Sequence, residues 1–245
     1  MLHPSFWSLT LIVALITTPG FTNFIYFVSL CYGAAQAAQG VITLLFLHSP
    51  TTLFSHIHII LHIIYGIRLF THLYLRSRTS SYASVQAQRK RPSPSLLMSG
   101  VFWIFVTILY QAMFLPAIVS LSRHHPAPLL ATTGLFVQAV GLVLEAAADF
   151  QKSQAKSRAP NTLVTTGLFS IVRCPAYFGE VLFYVGNFLA ALDVYTLPQA
   201  AFATFGLVTI LSIMISATRR LTTTHHTRYG SDASYIRYNL IPFVY

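Results

Sequence analysis

Residues 167–180 read GLFSIVRCPAYFGE. Arg173, Cys174 and Glu180 stand here between two apolar segments, in a chain with only five acidic residues. An ionisable group inside an apolar span is costly and needs a physical reason. Glu180, just inside the mouth of the second segment, therefore directs attention to both the fold and the chemistry. The 245 residues are 55% hydrophobic and 8% charged, against about 25% charged in soluble domains. A soluble fold of this composition would be a core with almost no surface. The expectation is one integral membrane domain over residues 1–245, all-α and polytopic.

Spanning a bilayer takes about 20 apolar residues, fewer where the bilayer thins. Seven segments qualify, at about 5–18, 21–47, 53–75, 97–121, 128–148, 176–192 and 196–217, the first and sixth being short. Pro19-Gly20 divides the first two, and Pro116 is expected to kink the fourth. The opening MLHPSFWSLTLIVALITTPG lacks the basic start of a signal peptide, with His3 its only titratable side chain, and reads as a short first span.

Fifteen Lys and Arg against five Asp and Glu give a formal +10. In a soluble protein that balance would point to nucleic acid; beside apolar spans it is topogenic, and no nucleic-acid partner is expected. With seven spans, thirteen of the basic residues fall on one side, in 76–96, 149–175 and 218–245; Arg123 lies opposite and Arg68 within a span. By the positive-inside rule that side, with the C-terminus, is cytoplasmic. The 77–95 stretch, rich in Ser, Arg and Pro, is expected to be a mobile loop. Cys31 and Cys174 are too far apart in context for a disulfide framework or a zinc cluster. Neither GxGxxG nor GxxxxGK[ST] occurs.

Glu145 and Asp149 are spaced i, i+4 and share a helical face at the end of the fifth span. With Glu180 they converge on the basic side. Two readings of these acids stand: a salt-bridge cluster tying helix ends together, or a polar cavity open to the cytoplasm that receives a phosphate-bearing cofactor. Arg and Lys suit phosphate by charge, Arg also by its bidentate fork. His58 and His62 are i, i+4 in the third span, with His72 beyond. The Glu of HEXXH is missing between them, so a polar seam near Arg68 is expected rather than a metal site. The His225-His226 pair borders the basic tail, where it can face a phosphate, and Asp193 reads as a turn residue.

The stretch TTGLFSIVRCPAYFGEVLFYVGNFLAAL at 165–192 resembles the C-terminal signature of the steroid 5-alpha-reductase family. It is closest to the family's microbial branch of uncharacterised membrane proteins, which runs roughly GLWxYSRHPNYFGE. EAAADFQKSQAKSRAPN at 145–161 is similar to the family's ADxQK segment, YGIRLFTHLYLRSR at 65–78 to its WGLRLxxxxxRR segment, and FWIFVTILYQAMFLPA at 102–117 to its next helix. The ending RYNLIPFVY is similar to that of the steroid reductases. The likeness covers about 20–245 and is most specific over 145–245.

The resemblance implies a seven-helix membrane reductase with NADPH in a cytoplasm-facing cavity, passing a hydride to an activated alkene of a steroid or other lipid. The bilayer and such a substrate are the partners implied, with no obligate protein partner. The membrane is that of the endoplasmic reticulum in a eukaryote or the cytoplasmic membrane in a bacterium. Carried over by position, the cofactor residues are Glu145, Asp149, Lys156, Arg158, Arg173, Tyr177, Glu180, Arg219, His226, Tyr235 and Arg237. Lys156 or Arg158 takes a phosphate, Glu180 takes the nicotinamide carboxamide, and Glu180 with Tyr177 forms the catalytic pair. Two positions depart from the pattern. Ala176 stands where the signature has Asn, and Cys174-Pro175 replaces His-Pro. Isoprenylcysteine and phospholipid methyltransferases, related in fold and using S-adenosylmethionine, share RHPxYxG but carry a later Glu. SATRRLTTTHHTRYGSDASYIRY has none, which favours a reductase over a methyltransferase; a non-catalytic homologue is the third alternative.

Overall fold

A computed structural model describes residues 4–46, 53–78, 94–121, 128–160 and 162–231. All regular structure among the described residues is helical. In chain order the helices are α1 (Pro4–Thr17), α2 (Phe24–Phe27), α3 (Leu30–Leu45), α4 (Leu53–Ser77), α5 (Leu96–Val119), α6 (Pro128–Arg158), α7 (Pro175–Leu189) and α8 (Leu197–Tyr229). Five segments are long and apolar enough to cross a membrane: Phe24–Leu45, Leu53–Ser77, Leu96–Val119, Pro128–Arg158 and Leu197–Tyr229. At 1.5 Å per residue α1 and α7 reach only about 21 and 22 Å, short of a hydrocarbon core of about 30 Å.

The segment expected as one span over 21–47 is broken. Asn23 caps α2 by accepting from the Ile25 amide, and the chain bends at Ser29 before α3 begins. Phe27 is fully buried there, and the Tyr110 hydroxyl donates to its carbonyl. A bend inside an apolar segment survives only where such a donor satisfies the freed backbone. The apolar spans end near 148 and 217, and as helices α6 runs on to Arg158 and α8 to Tyr229. Nothing in DFQKSQAKSR or ATRRLTTTHHTRY breaks a helix, so polarity ends the span without ending the helix. Pro160 and Gly230, which follow, are the stop signals. The 77–95 loop lies almost entirely outside the described residues.

α6 and α7 form an antiparallel pair in backbone contact. Gly141 abuts the Phe183 amide and the Gly179 carbonyl, Gly179 abuts the Glu145 amide, and Gly186 abuts the Gln138 amide. A Cβ at any of these would collide with main chain rather than with a yielding side chain. Small residues of this kind let membrane helices approach closely where no hydrophobic force draws them together. Gly33 and Gly66 do the same between α3 and α4. Around these pairs, Val13, Phe27, Tyr65, Val106, Met113, Phe183 and Ile210 pack into the central core.

Replacing Gly141 with Leu forces α6 and α7 apart. Overpacking of this kind costs roughly 1–3 kcal/mol or more, so the melting temperature in detergent should fall well below that of the parent. Gly100, inside α5 with no atom within 4 Å of an added Cβ, is the control: Gly100→Ala should leave the melting temperature unchanged or raise it slightly. Equal melting for Gly141→Leu and the parent would refute the backbone contact.

Candidate functional site

The ends of α4, α6 and α8 and the start of α7 form an open cleft. Arg76 enters from α4, Asp149, Lys152 and Lys156 from α6, and Leu221, His225 and Tyr229 from α8. The spacings explain the lining: 149, 152 and 156, and likewise 221, 225 and 229, recur on one helical face. The fourth wall is the segment 163–177, contributing Phe169, Arg173, Cys174, Ala176 and Tyr177. Gly167 turns it with φ +64°, a left-handed conformation suited to glycine. Gln151 then fastens it to α6, accepting from the Leu168 amide at 3.0 Å.

The basic residues differ in what they hold. Lys156 Nζ donates to the Pro160 and Thr162 carbonyls at 3.1 and 2.7 Å and lies 3.4 Å from the Tyr229 hydroxyl. It thereby closes the C-terminus of α6. Arg173 reaches Thr222 on α8 at 3.5 Å. The first turn of α7 opens onto the cleft, and its unpaired amides add to the positive potential. Burial pushes the Cys174 thiol up from its ordinary range, against a hydrogen bond with Thr218 that lowers it, so Cys174 stays a neutral thiol at pH 7.

Behind the cleft wall lies a paired cluster. Arg68 on α4 forks between Glu145 and Asp149, the latter at 2.6 Å. His72 Nε2 stands 3.6 Å from the second Asp149 oxygen. Deeper still, Glu180 Oε1 accepts from the Tyr32 and Tyr65 hydroxyls at 2.9 and 3.1 Å. The Tyr32 and Tyr184 hydroxyls are 2.7 Å apart. Glu180 is only 7% exposed and lines no part of the cleft. Toward the opposite end, His58 and His62 each place Nε2 2.8 Å from Asn187 Oδ1, while the Asn187 amide donates to the Met113 carbonyl at 2.9 Å. This is the polar seam expected of these histidines.

Of the residues the sequence proposes, Asp149, Lys156, Arg173 and Tyr177 line the cleft. Glu145 and Glu180 are buried behind it, at the far side of Arg68 and among the tyrosines. Arg158, Arg219 and His226 are exposed and do not line it, and Tyr235 and Arg237 lie outside the described residues. Glu145 and Asp149 are ion-paired through Arg68, and Asp149 also faces the cleft. The cleft residues that sequence reasoning passed over are Arg76, Lys152, His225 as a lining residue in place of its neighbour, and Tyr229. Helical spacing from Asp149 was enough to find Lys152. No signal marked the convergence of Tyr32, Tyr65 and Tyr184, which come from three helices.

A family model described as "Protein of unknown function (DUF1295)" matches residues 19–240. The chain belongs to this family. No curated protein and no solved structure matches the chain. The match takes in the cleft and the buried cluster together, and the family description assigns them no activity.

Arg68→Leu leaves two carboxylates in a low-dielectric setting without their cation. Breaking a buried pair in this way costs about 3–5 kcal/mol, so this variant should unfold at markedly lower temperature. Adding Glu145→Gln removes one stranded charge and should restore part of the loss. Melting curves of the single and double variants test this; a double variant no more stable than Arg68→Leu would show that the Arg68–Glu145 contact carries little.

Proposed function

We propose that the protein is a membrane-embedded, NADPH-dependent reductase of an activated C=C bond in a steroid or other lipid. The observation that carries this is the charge of the cleft. Arg76, Lys152, Lys156 and Arg173 surround it against the single carboxylate of Asp149, which shares the Arg68 guanidinium with Glu145. Such a cleft suits a ligand with several phosphate charges. S-adenosylmethionine carries a sulfonium cation and no phosphate, so the same charge disfavours a methyltransferase. The resemblance of 165–192 to the steroid reductase signature supplies the reaction class.

The donor set fits the phosphate-bearing part of a dinucleotide, and Phe169, Tyr177 and Tyr229 offer flat faces for its rings. NADPH, when bound, supplies a hydride. The chain's own residues divide the remaining work. Arg68 holds Asp149 in the cleft wall, and the Tyr32 and Tyr65 phenols hold protons at Glu180 Oε1, with Tyr184 against Tyr32. Glu180 is then a residue that orders hydroxyls next to the reacting end, one helical turn beyond Tyr177. In this proposal α1 and α7 also cross a locally thinned bilayer, making seven spans, with the cleft and C-terminus cytoplasmic by the positive-inside rule. The host membrane is the endoplasmic reticulum of a eukaryote or the cytoplasmic membrane of a bacterium.

A ligand that binds only the folded state raises the melting temperature. In purified protein NADPH should raise it at micromolar concentration, and S-adenosylmethionine should not. A shift with S-adenosylmethionine alone would overturn the reductase in favour of the methyltransferase. Glu180→Gln replaces an acceptor with a group that also donates, disturbing charge-assisted bonds worth about 1.5–3 kcal/mol. Turnover should fall roughly ten- to hundred-fold in protein that still folds. Full turnover per folded molecule in a destabilised variant would leave Glu180 a purely structural residue.

A further inference from the structure

The resemblance points to Lys156 or Arg158 as a phosphate contact. Lys156 lines the cleft while donating to the Pro160 and Thr162 carbonyls, and Arg158 is exposed and does not line it. Lys152 is different. It lies one turn before Lys156 on the same face of α6, half-buried in the cleft wall. Among the described residues its ammonium has neither a hydrogen bond nor an ion pair, the ion pairs being those of Arg68 and His72 with the α6 carboxylates. Arg76 at the end of α4 lines the same cleft.

Asp149 attracts Lys152 without pairing with it, its two oxygens facing Arg68 and His72. Lys152 and Arg76 carry like charges that act on each other across the cleft. An oxyanion with two charges relieves that repulsion and accepts from the Lys152 ammonium, with the Arg76 charge adding attraction from another helix. The apolar wall of Leu163 and Phe169 limits the water that would otherwise compete. We infer that Lys152, with Arg76, forms a subsite for a phosphomonoester. This rests on the dinucleotide proposal for the identity of the ligand but not for its chemistry. A phosphomonoester is what distinguishes NADPH from NADH, and phosphatidic acid carries the same group as a lipid headgroup.

The test uses the full chain in phosphatidylcholine nanodiscs at one stated ionic strength, with NADPH, NADH and phosphatidic acid as ligands. Lys152→Met should weaken NADPH binding about tenfold or more, the loss of one charge-assisted contact, and change NADH binding less than about twofold. Arg158→Gln should leave both nearly unchanged. Equal losses for NADPH and NADH, or no loss, would overturn the subsite. If the parent binds neither dinucleotide but binds phosphatidic acid through Lys152, the subsite stands and the reductase proposal falls. A measurement on the parent protein guards against a variant that fails to fold. Pyridoxal phosphate pairs an aldehyde with a phosphomonoester; its carbonyl carbon forms an imine with a lysine amine, releasing water, and borohydride delivers a hydride to that C=N bond. Peptide mass spectrometry should find the adduct on Lys152, with protection by whichever phosphomonoester binds. An adduct on Lys156 with Lys152 unmodified would refute the assignment.

Discussion

Arg68 sits on one apolar helix and forks between two carboxylates on another. None of the three can be left alone in this bundle, because an unpaired charge away from water is far more expensive than the pair. The fork therefore ties α4 to α6 at one depth and one rotation. Glu145 is held by its side chain to Arg68 while its backbone lies against Gly179, so α7 inherits the same placement. Glu180, the next residue on α7, is thereby delivered to the tyrosines of α3 and α4.

Close helix contact and polar pairing are two sides of one constraint. Helices in a bilayer gain little from burying apolar surface against each other, since lipid is as apolar as leucine. What holds them is backbone approach at Gly141, Gly179 and Gly186, and hydrogen bonds that have no water to compete with them. Asn187 is the clearest case, joining His58 and His62 of α4 to the Met113 carbonyl of α5 from its place on α7. Two buried polar layers result, one around Glu180 and one around Asn187, both made of side chains that would be misplaced in a purely apolar bundle.

The cleft exists because three helices outrun the apolar part of their sequences. α6 and α8 continue as polar helices past their apolar segments and α4 ends just past its own, carrying Arg76, Lys152, Lys156 and His225 to a common end. α7 starts at the same end, so its first turn forms the floor between them. The cations there are not interchangeable. Some fasten the walls, as Lys156 does through carbonyls and Arg173 through Thr222, and Lys152 is left facing the cleft.

Composition and hydropathy by themselves determined that the chain is an all-helical membrane protein with its basic residues gathered beside the ends of its spans. The i, i+4 spacing of Glu145 and Asp149 also marked the helix face that meets the cleft, and the GLFSIVRCPAYFGE stretch marked where its floor begins. Those features are local: a span is a sum over consecutive residues, and a helix face follows from a fixed 3.6-residue period. Which cation faces the cleft, which carboxylate is paired, and which phenols surround Glu180 are of another kind. They depend on the relative depth and rotation of helices far apart in the chain. Those are decided by glycine contacts and by the Arg68 fork, and only the tertiary structure contains them. The same reason separates what is legible at Lys156 from what is not: its charge is visible in one dimension, whereas the carbonyls of Pro160 and Thr162 that it holds come within reach only when the chain folds back past the end of α6.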